Sequence, residues 1–253
     1  MEEQVSPVNP RVPCGKRFCM SIPENIADLQ AKLEQSAKRA GRNPSEIALM
    51  AVTKTHPPEA IREAYAAGLR LFGENRVQEF SAKAHALSDL HGAEWHMIGR
   101  LQSNKAAKAA ELFSAIDSID SLKLAEKLNT AAQTLNKMLE VLIEVNVGGE
   151  AAKSGVTLDS PELENLLTGA PSLEALTICG LMTVPPHTED PEGARPYFRQ
   201  LRTLRDQIAA RNLPTLSMDI LSMGMSHDFK VAIEEGSTRI RIGTAIFGER
   251  PKK

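Results

Sequence analysis

Lys54 is the residue whose position most strongly suggests chemistry. It ends an otherwise apolar run, ALMAVT at 48–53, so its stem would leave a buried strand and its amine would reach the edge of a sheet. Partial burial and nearby cations lower the pKa of a lysine, and the free amine can then form a Schiff base with an aldehyde. The alternative is a lysine that extends its amine into solvent, and spacing alone does not separate the two.

Two glycine-containing segments predict a phosphate site. Gly224, Met225 and Ser226 follow one apolar run, and Gly243 and Thr244 follow another. Each segment offers backbone N–H groups and one hydroxyl, and a helix predicted just after the first segment adds the positive end of its dipole. The alternative is that the glycines only permit tight turns.

Arg241 lies between two isoleucines and shares one predicted strand face with Arg239. If that face points inward, a guanidinium that only donates would lie opposite a ligand and would keep a facing pyridine nitrogen unprotonated. The alternative is a structural ion network in which both arginines pair with Glu144 or other carboxylates. His96, a lone histidine within a predicted strand, is expected to be a core residue with its hydrogen bonds satisfied.

The elements that position these residues predict a single (β/α)₈ barrel of the TIM type. Eight apolar or β-branched runs alternate with helical patterns, which indicates a parallel sheet covered by helices. A Rossmann-like sheet is the alternative, but no G-x-G-x-x-G turn follows the first run. A barrel places its site at the carboxyl ends of the strands and often binds phosphate after strands seven and eight, where the two glycine-containing segments fall. The predicted strands are 47–53, 69–73, 94–99, 113–118, 140–147, 176–184, 215–223 and 239–243, with helices at 57–67, 75–87, 103–111, 121–134, 159–169, 191–211 and 227–236.

An additional helix is predicted before the first strand. Between residues 24 and 40 apolar residues recur at spacings of three and four, with Ser21 as the expected N-cap and Gly41 closing the helix. Residues 1–20 contain three prolines among polar residues and are predicted to be a disordered leader. The barrel is predicted to fill residues 21–253.

Composition argues against several functional classes. The 30 Lys and Arg residues nearly balance the 32 Asp and Glu residues, so binding to nucleic acid or to an anionic membrane surface is not predicted. No run approaches the roughly 18 apolar residues that a membrane span requires. The three cysteines are too few and too scattered for a disulfide framework, and they lack metal-ligand spacing. A cytoplasmic protein without a metal is expected.

Seven segments of the chain match one protein family in order and spacing. They are AVTKT at 51–55, FGENRVQE at 72–79, WHMIGRLQSNK at 95–105, KSG at 153–155, GLMT at 180–183, LSMGMSHD at 221–228 and RIGTAIFG at 241–248. Through them the chain closely resembles the pyridoxal phosphate homeostasis proteins from about Ile26 to its end. Arg76 and Arg100 occupy positions that vary in that family, and the residues before 21 lie outside the match.

The resemblance implies a barrel related to the N-terminal domain of alanine racemase, with pyridoxal 5′-phosphate as cofactor. It implies a Schiff base on Lys54, phosphate ligands from the two glycine-containing segments, and Arg241 facing the pyridine nitrogen. The cofactor-binding residues predicted in this way are Lys54, Asn75, Met225, Ser226, Arg241, Gly243 and Thr244.

We expect a carrier of the cofactor rather than an enzyme. A racemase needs a proton-transfer group on each face of the cofactor, and both tyrosines, Tyr65 and Tyr197, fall in predicted helices. The chain ends ten residues after Gly243, which leaves no second domain of the racemase kind. Arg241 beside the ring would also leave the pyridine a poorer electron sink. No catalytic residue is therefore predicted.

The expected function is a monomeric protein that binds pyridoxal phosphate non-catalytically and buffers or delivers it inside the cell. Apo-enzymes that need this cofactor would be its recipients, and amino-acid and keto-acid metabolism would respond. The first alternative is a racemase or decarboxylase of low activity. The second is a phosphosugar-type barrel enzyme in which Lys54 forms a Schiff base with the substrate.

Overall fold

The computed structural model describes residues 20–150 and 152–249, in which eight parallel strands pair in chain order and close into a barrel. The closing pair is β8 with β1, where Ala48 lies opposite Arg239 and Ala51 opposite Ile242. The predicted barrel is thus confirmed. The strands are β1 Ala48–Val52, β2 Leu71–Glu74, β3 Glu94–Met97, β4 Ala115–Ile119, β5 Leu139–Glu144, β6 Leu176–Met182, β7 Leu216–Ser222 and β8 Arg239–Ile242.

Helices alternate with the strands and cover the outside of the barrel. Among the described residues, the helical patterns at 75–87, 103–111 and 191–211 each divide into an α-helix and a short 3₁₀ turn. The α-helices are α1 Ile22–Arg39, α2 Pro58–Ala66, α3 Val77–Ala84, α4 Ala106–Leu112, α5 Leu122–Thr134, α6 Pro161–Gly169, α7 Arg195–Ala210, α8 Phe229–Glu234 and α9 Thr244–Phe247.

Helix α1 begins where its capping residues predict. The Ser21 side chain accepts from the Glu24 N–H, and the Glu24 carboxylate accepts from the Ser21 N–H at 2.7 Å, a reciprocal capping box. Gly41 follows the helix with a left-handed φ of 67°. The apolar face of α1 packs on α8, α9 and α2. The leader that is predicted to be disordered spans residues 1–20, and residues 1–19 of it, with Cys14 and Cys19, lie outside the described part of the chain.

A buried ionic network crosses the inside of the barrel. Asp117 on β4 is fully buried, and its two oxygens contact His96 Nδ1 at 2.9 Å and Arg239 Nη1 at 3.2 Å. Burial would raise the pKa of Asp117, but His96 and Arg239 together hold it below its ordinary value. His96 is therefore a core residue with a polar partner, as expected, and Arg239 belongs to a structural network.

No helix in the described part of the chain is both long and apolar enough to cross a membrane.

Cys179, on β6, is buried, and burial raises the pKa of its thiol to about 11.

Candidate functional site

A cavity of about 210 Å³ opens at the carboxyl ends of β1, β7 and β8. Strands β1 and β8 are neighbours through closure, and β7 lies next to β8, so three loops distant in sequence meet there. Six of the seven predicted cofactor-binding residues line this cavity: Lys54, Met225, Ser226, Arg241, Gly243 and Thr244.

Lys54 lies in a tight turn directly after β1. The next residue, Thr55, has a φ of 67°, in the left-handed region that β-branched residues disfavour. Its N–H donates a hydrogen bond to the Glu79 carboxylate on α3, which holds the peptide in that conformation. A side chain of α3 therefore helps to fix the backbone next to Lys54.

Lys83 holds the same turn from inside the protein. Its buried Nζ donates to the carbonyl of Thr53 at 3.0 Å and to that of His56 at 3.3 Å, one on each side of Lys54. It also lies 2.8 Å from Oε1 of Glu74, which is fully buried. Burial raises the pKa of Glu74 although Lys83 opposes the shift. The sequence pattern does not single out Lys83, because a lysine in the last turn of a helix usually lies in solvent.

The Ser226 hydroxyl and the backbone of residues 243–244 come together at the edge of the cavity. Ser226 Oγ accepts from the Ala245 N–H at 3.3 Å, which joins the loop after β7 to helix α9. Thr244 is the first residue of α9 and Gly243 is its N-cap, so the Thr244 N–H has no acceptor within the helix. The Thr244 N–H and the Ser226 hydroxyl, which can still donate its own proton, can bind a phosphate group.

The Met225 N–H, by contrast, already has a partner within the protein. It donates to Asp228 Oδ1 at 2.6 Å. Burial raises the pKa of Asp228, while the Met225 N–H lowers it. Met225 thus lines the cavity without offering its own N–H, and Asp228, which no sequence pattern singles out, fixes the turn before α8.

Arg241 points into the barrel and is only 4% exposed. Its Nη1 donates to the carbonyl and hydroxyl of Ser222 at 2.7 and 2.8 Å, and its Nη2 donates to the Thr183 carbonyl at 2.7 Å. Burial lowers the pKa of Arg241 and nearby carboxylates raise it, yet an arginine in a protein remains charged. Neutral oxygens thus orient Arg241 into the cavity, whereas Arg239 pairs with Asp117.

Asn75 is the one predicted cofactor-binding residue that does not line the Lys54 cavity. It lines a second cavity, formed after β2, β3 and β4 on the same face of the barrel. Buried oxygens without a hydrogen-bond partner occur on Asn75, Glu144 and Asn146, which follow or end strands at this face. Burial raises the pKa of Glu144, whose other oxygen accepts from Ser154 at 2.8 Å. Buried polar atoms of this kind are positions that a ligand or a water can satisfy.

His56 is a further residue of the Lys54 cavity that the sequence did not reveal. Its ring stacks on Phe247 of α9 with 4.4 Å between centroids, so the turn after β1 packs against the helix after β8. Only barrel closure brings these two segments together.

The fold places the chain among alanine-racemase-type barrels. Residues 25–251 match the family described as alanine racemase, N-terminal domain. The alanine racemase of Clostridium difficile 630 superposes with a TM-score of 0.65 at 14% identity, covering 89% of this chain and 58% of that one. At that identity the likeness concerns the fold alone.

Closer relatives define the family within that class. The proteins of Aquifex aeolicus (strain VF5) and Escherichia coli (strain K12) that are called pyridoxal phosphate homeostasis protein are 46% and 43% identical. They align with 91% and 90% of this chain and with 99% and 97% of their own lengths. The PipY structure of Synechococcus elongatus PCC7942 with PLP bound has a TM-score of 0.77 at 39% identity, covering 90% of this chain and all of that one. The chain belongs to the pyridoxal phosphate homeostasis protein family.

Proposed function

We propose that this protein binds pyridoxal 5′-phosphate in the cavity that Lys54 lines and acts in the homeostasis of that cofactor. The observation that carries the proposal is the convergence of an amine, a buried guanidinium and phosphate-type donors on one cavity, from Lys54, Arg241, Ser226, Gly243 and Thr244. Family membership supports it, as do the names of the relatives and the PLP-bound PipY structure.

The residues present fit the three functional groups of pyridoxal phosphate. The Lys54 amine would condense with the aldehyde to a Schiff base, with loss of one water. The Ser226 hydroxyl and the N–H groups of Gly243 and Thr244 would hold the phosphate, and Arg241 would face the ring nitrogen. When bound, the cofactor supplies an electron sink for amino-acid chemistry.

We further propose that the protein carries the cofactor without robust catalysis. Arg241 donates but cannot accept a proton, so it would keep the facing ring nitrogen unprotonated and weaken the electron sink. Tyr65 lies on α2, where its hydroxyl donates to the His91 carbonyl at 2.7 Å, and Tyr197 lies on α7. Neither helical position suits the second proton-transfer group that a racemase needs.

The proposed setting is a cytoplasmic monomer that buffers the cofactor or hands it to apo-enzymes, with consequences for amino-acid and keto-acid metabolism. Loaded protein should reactivate an apo-enzyme faster than free release of the cofactor allows. Reactivation at the rate of free release would argue for a buffer rather than a delivery protein. Robust racemisation or decarboxylation of any amino acid by the purified chain would contradict the carrier proposal.

The Schiff base is tested by borohydride reduction followed by peptide mass spectrometry. The pyridoxyl adduct is expected on Lys54, and Lys54→Ala should abolish it and the associated visible absorbance. Phosphate contacts should leave the variant with weakened but measurable cofactor binding. Lys230→Ala is the matched control, since Lys230 is an exposed lysine on α8, shortly after the glycine-containing segment at 224–226. An adduct that survives Lys54→Ala would show that another lysine holds the cofactor.

A further inference from the structure

The second cavity of the barrel mouth, of about 790 Å³, is separate from the cofactor cavity. It is formed by the loops after β2, β3 and β4, whereas the Lys54 cavity is formed after β1, β7 and β8, and the two share no lining residue. Three cations line it, Arg76, Arg100 and Lys105, against one carboxylate, Asp120. Its charge is therefore unbalanced.

The three cations lack the close side-chain partners that most of the described arginines have, although Arg100 interacts at longer range with the Glu144 carboxylate. Among the described residues, Arg76, Arg100 and Lys105 make no hydrogen bond or ion pair through their side chains. Arg195 and Arg211, by comparison, each bind glutamate oxygens at 2.6 Å. Like charges in one concave site raise the local positive potential and attract anions. Such an arrangement costs stability unless a ligand neutralises it.

Backbone packing holds the two arginines on touching loops. The Ile98 N–H donates to the carbonyl of Glu74, the last residue of β2, at 2.9 Å, which continues the β2–β3 pairing one residue beyond the end of β3. Gly99 then packs so closely that an added Cβ would lie 2.4 Å from the Asn75 carbonyl oxygen. Arg76 and Arg100 each follow one of these contacting residues, so their spacing is set by rigid backbone.

The remaining lining suits an organic anion. Val77, Met97 and Leu101 provide an apolar surface for a short carbon skeleton. The Asn75 side-chain oxygen is buried without a partner and could accept from a hydroxyl or amine of a ligand. The guanidinium forks of Arg76 and Arg100 match the oxygens of a carboxylate or phosphate group.

We propose that this cavity binds a second, small anionic ligand, a carboxylate or phosphate ester on a short carbon skeleton, beside the cofactor cavity. Binding there places an anion on the same barrel face as the cofactor without competing for its contacts. The site takes its charge from Arg76, Arg100 and Lys105, and none of these belongs to the cofactor set.

The test is calorimetric titration of the full chain with inorganic phosphate and, separately, with succinate at constant ionic strength. The protein is first saturated with pyridoxal phosphate, so that the phosphate contacts of the cofactor cavity are occupied. Saturable binding is expected for at least one anion, and the anion that binds more tightly identifies the preferred group. In the Arg76→Gln/Arg100→Gln variant the dissociation constant of that anion should rise at least tenfold.

Arg39→Gln is the matched control, because Arg39 also lacks a described ion pair but lies at the end of α1 and lines a different cavity. It should bind the anion as the unaltered chain does. An equal loss in Arg39→Gln, unchanged binding in the double variant, or no saturable binding of either anion would overturn the proposal. Binding of a glutamate-rich peptide with binding of neither small anion would also overturn it, in favour of a protein partner.

Circular dichroism and the absorbance of bound cofactor report whether the double variant is folded and loaded. Cofactor loading depends on Lys54 and not on the two arginines. A protein that binds the anion but takes up no cofactor would thus contradict the proposed function alone. A protein that takes up the cofactor but binds no anion would contradict the second site alone.

Discussion

Lys83 and Glu74 form a buried ion pair directly beneath the turn that carries Lys54. Removing two charges from water is expensive, and a buried pair seldom adds net stability over apolar residues of similar size. The pair instead positions the backbone around Lys54: Lys83 donates to carbonyls on both sides of Lys54, and Glu74 accepts from the Thr53 hydroxyl. At the scale of single residues, the ion pair makes the Lys54 turn rigid.

Substitution of Lys83 by Met should destabilise the protein by about 3–5 kcal/mol, because it leaves the Glu74 carboxylate buried without a cation. Adding Glu74→Gln should restore most of that free energy of unfolding, as measured by denaturant titration. The double variant should still bind pyridoxal phosphate several-fold more weakly, since the Thr53 and His56 carbonyls have lost their donor. Equal stability of the single and double variants, or unchanged cofactor affinity, would contradict this role.

Gly180 decides how closely strands β6 and β7 can pack. The register between these strands shifts between Ile178 and Gly180, and an added Cβ at Gly180 would lie 1.9 Å from the Ile220 carbonyl oxygen. In a closed barrel neither strand can move outward without disturbing its other neighbour. The shape of this element pair thus depends on the absence of one side chain.

Gly180→Ala is therefore expected to cost about 3 kcal/mol or more, the upper range for overpacking. Gly41→Ala serves as its control: Gly41, like Gly180, has a positive φ, at 67° against 156°, but nothing lies within 4 Å of an added Cβ. Its cost should stay near 1 kcal/mol, that of the left-handed conformation alone. Thermal and denaturant unfolding of both variants measure the difference, and similar losses at the two positions would show that packing at Gly180 is not limiting.

The elements themselves were largely readable from the sequence. All eight strands lie where apolar or β-branched runs predicted them, because most positions of a strand covered on both faces are apolar. The ends differ by up to three residues: β5 ends at Glu144, for instance, where the run continues to 147. Helix α9 was missed, since four residues are too few to show helical periodicity.

At the scale of the whole molecule, closure of the barrel assembles the Lys54 cavity. Strand β8 pairs with β1, so the turn after residue 53 meets the loops after residues 222 and 242. The same closure places the Lys54 cavity and the second cavity in one barrel mouth. A ligand that bridges the three loops should stabilise the entire fold, because opening the barrel would break its contacts.

Pyridoxal phosphate at about 100 times its dissociation constant should add about 2.7 kcal/mol to the free energy of unfolding. For a chain of this length that raises the unfolding midpoint by about 5–10 °C. Lys54→Ala should show a smaller shift at the same cofactor concentration, and pyridoxal, which lacks the phosphate, should show a smaller shift with the unaltered chain. Differential scanning fluorimetry measures these midpoints, and no shift with pyridoxal phosphate would contradict binding in the folded state.

The sequence by itself determined the barrel, the leading helix with its cap, and the family, because periodicity, capping and ordered motifs are local properties of the chain. It also identified six residues that line one cavity, since strand ends and glycine-containing loops are visible in one dimension. Only the tertiary structure distinguished the two arginines of β8: Arg239 pairs with Asp117, whereas neutral oxygens hold Arg241. It also showed that Asn75 lines a second cavity. Only the tertiary structure revealed Lys83 beneath Lys54 and the unpaired arginines of the second cavity. The physical reason is that burial and pairing depend on which strands become neighbours, and closure sets these neighbours across the whole length of the chain.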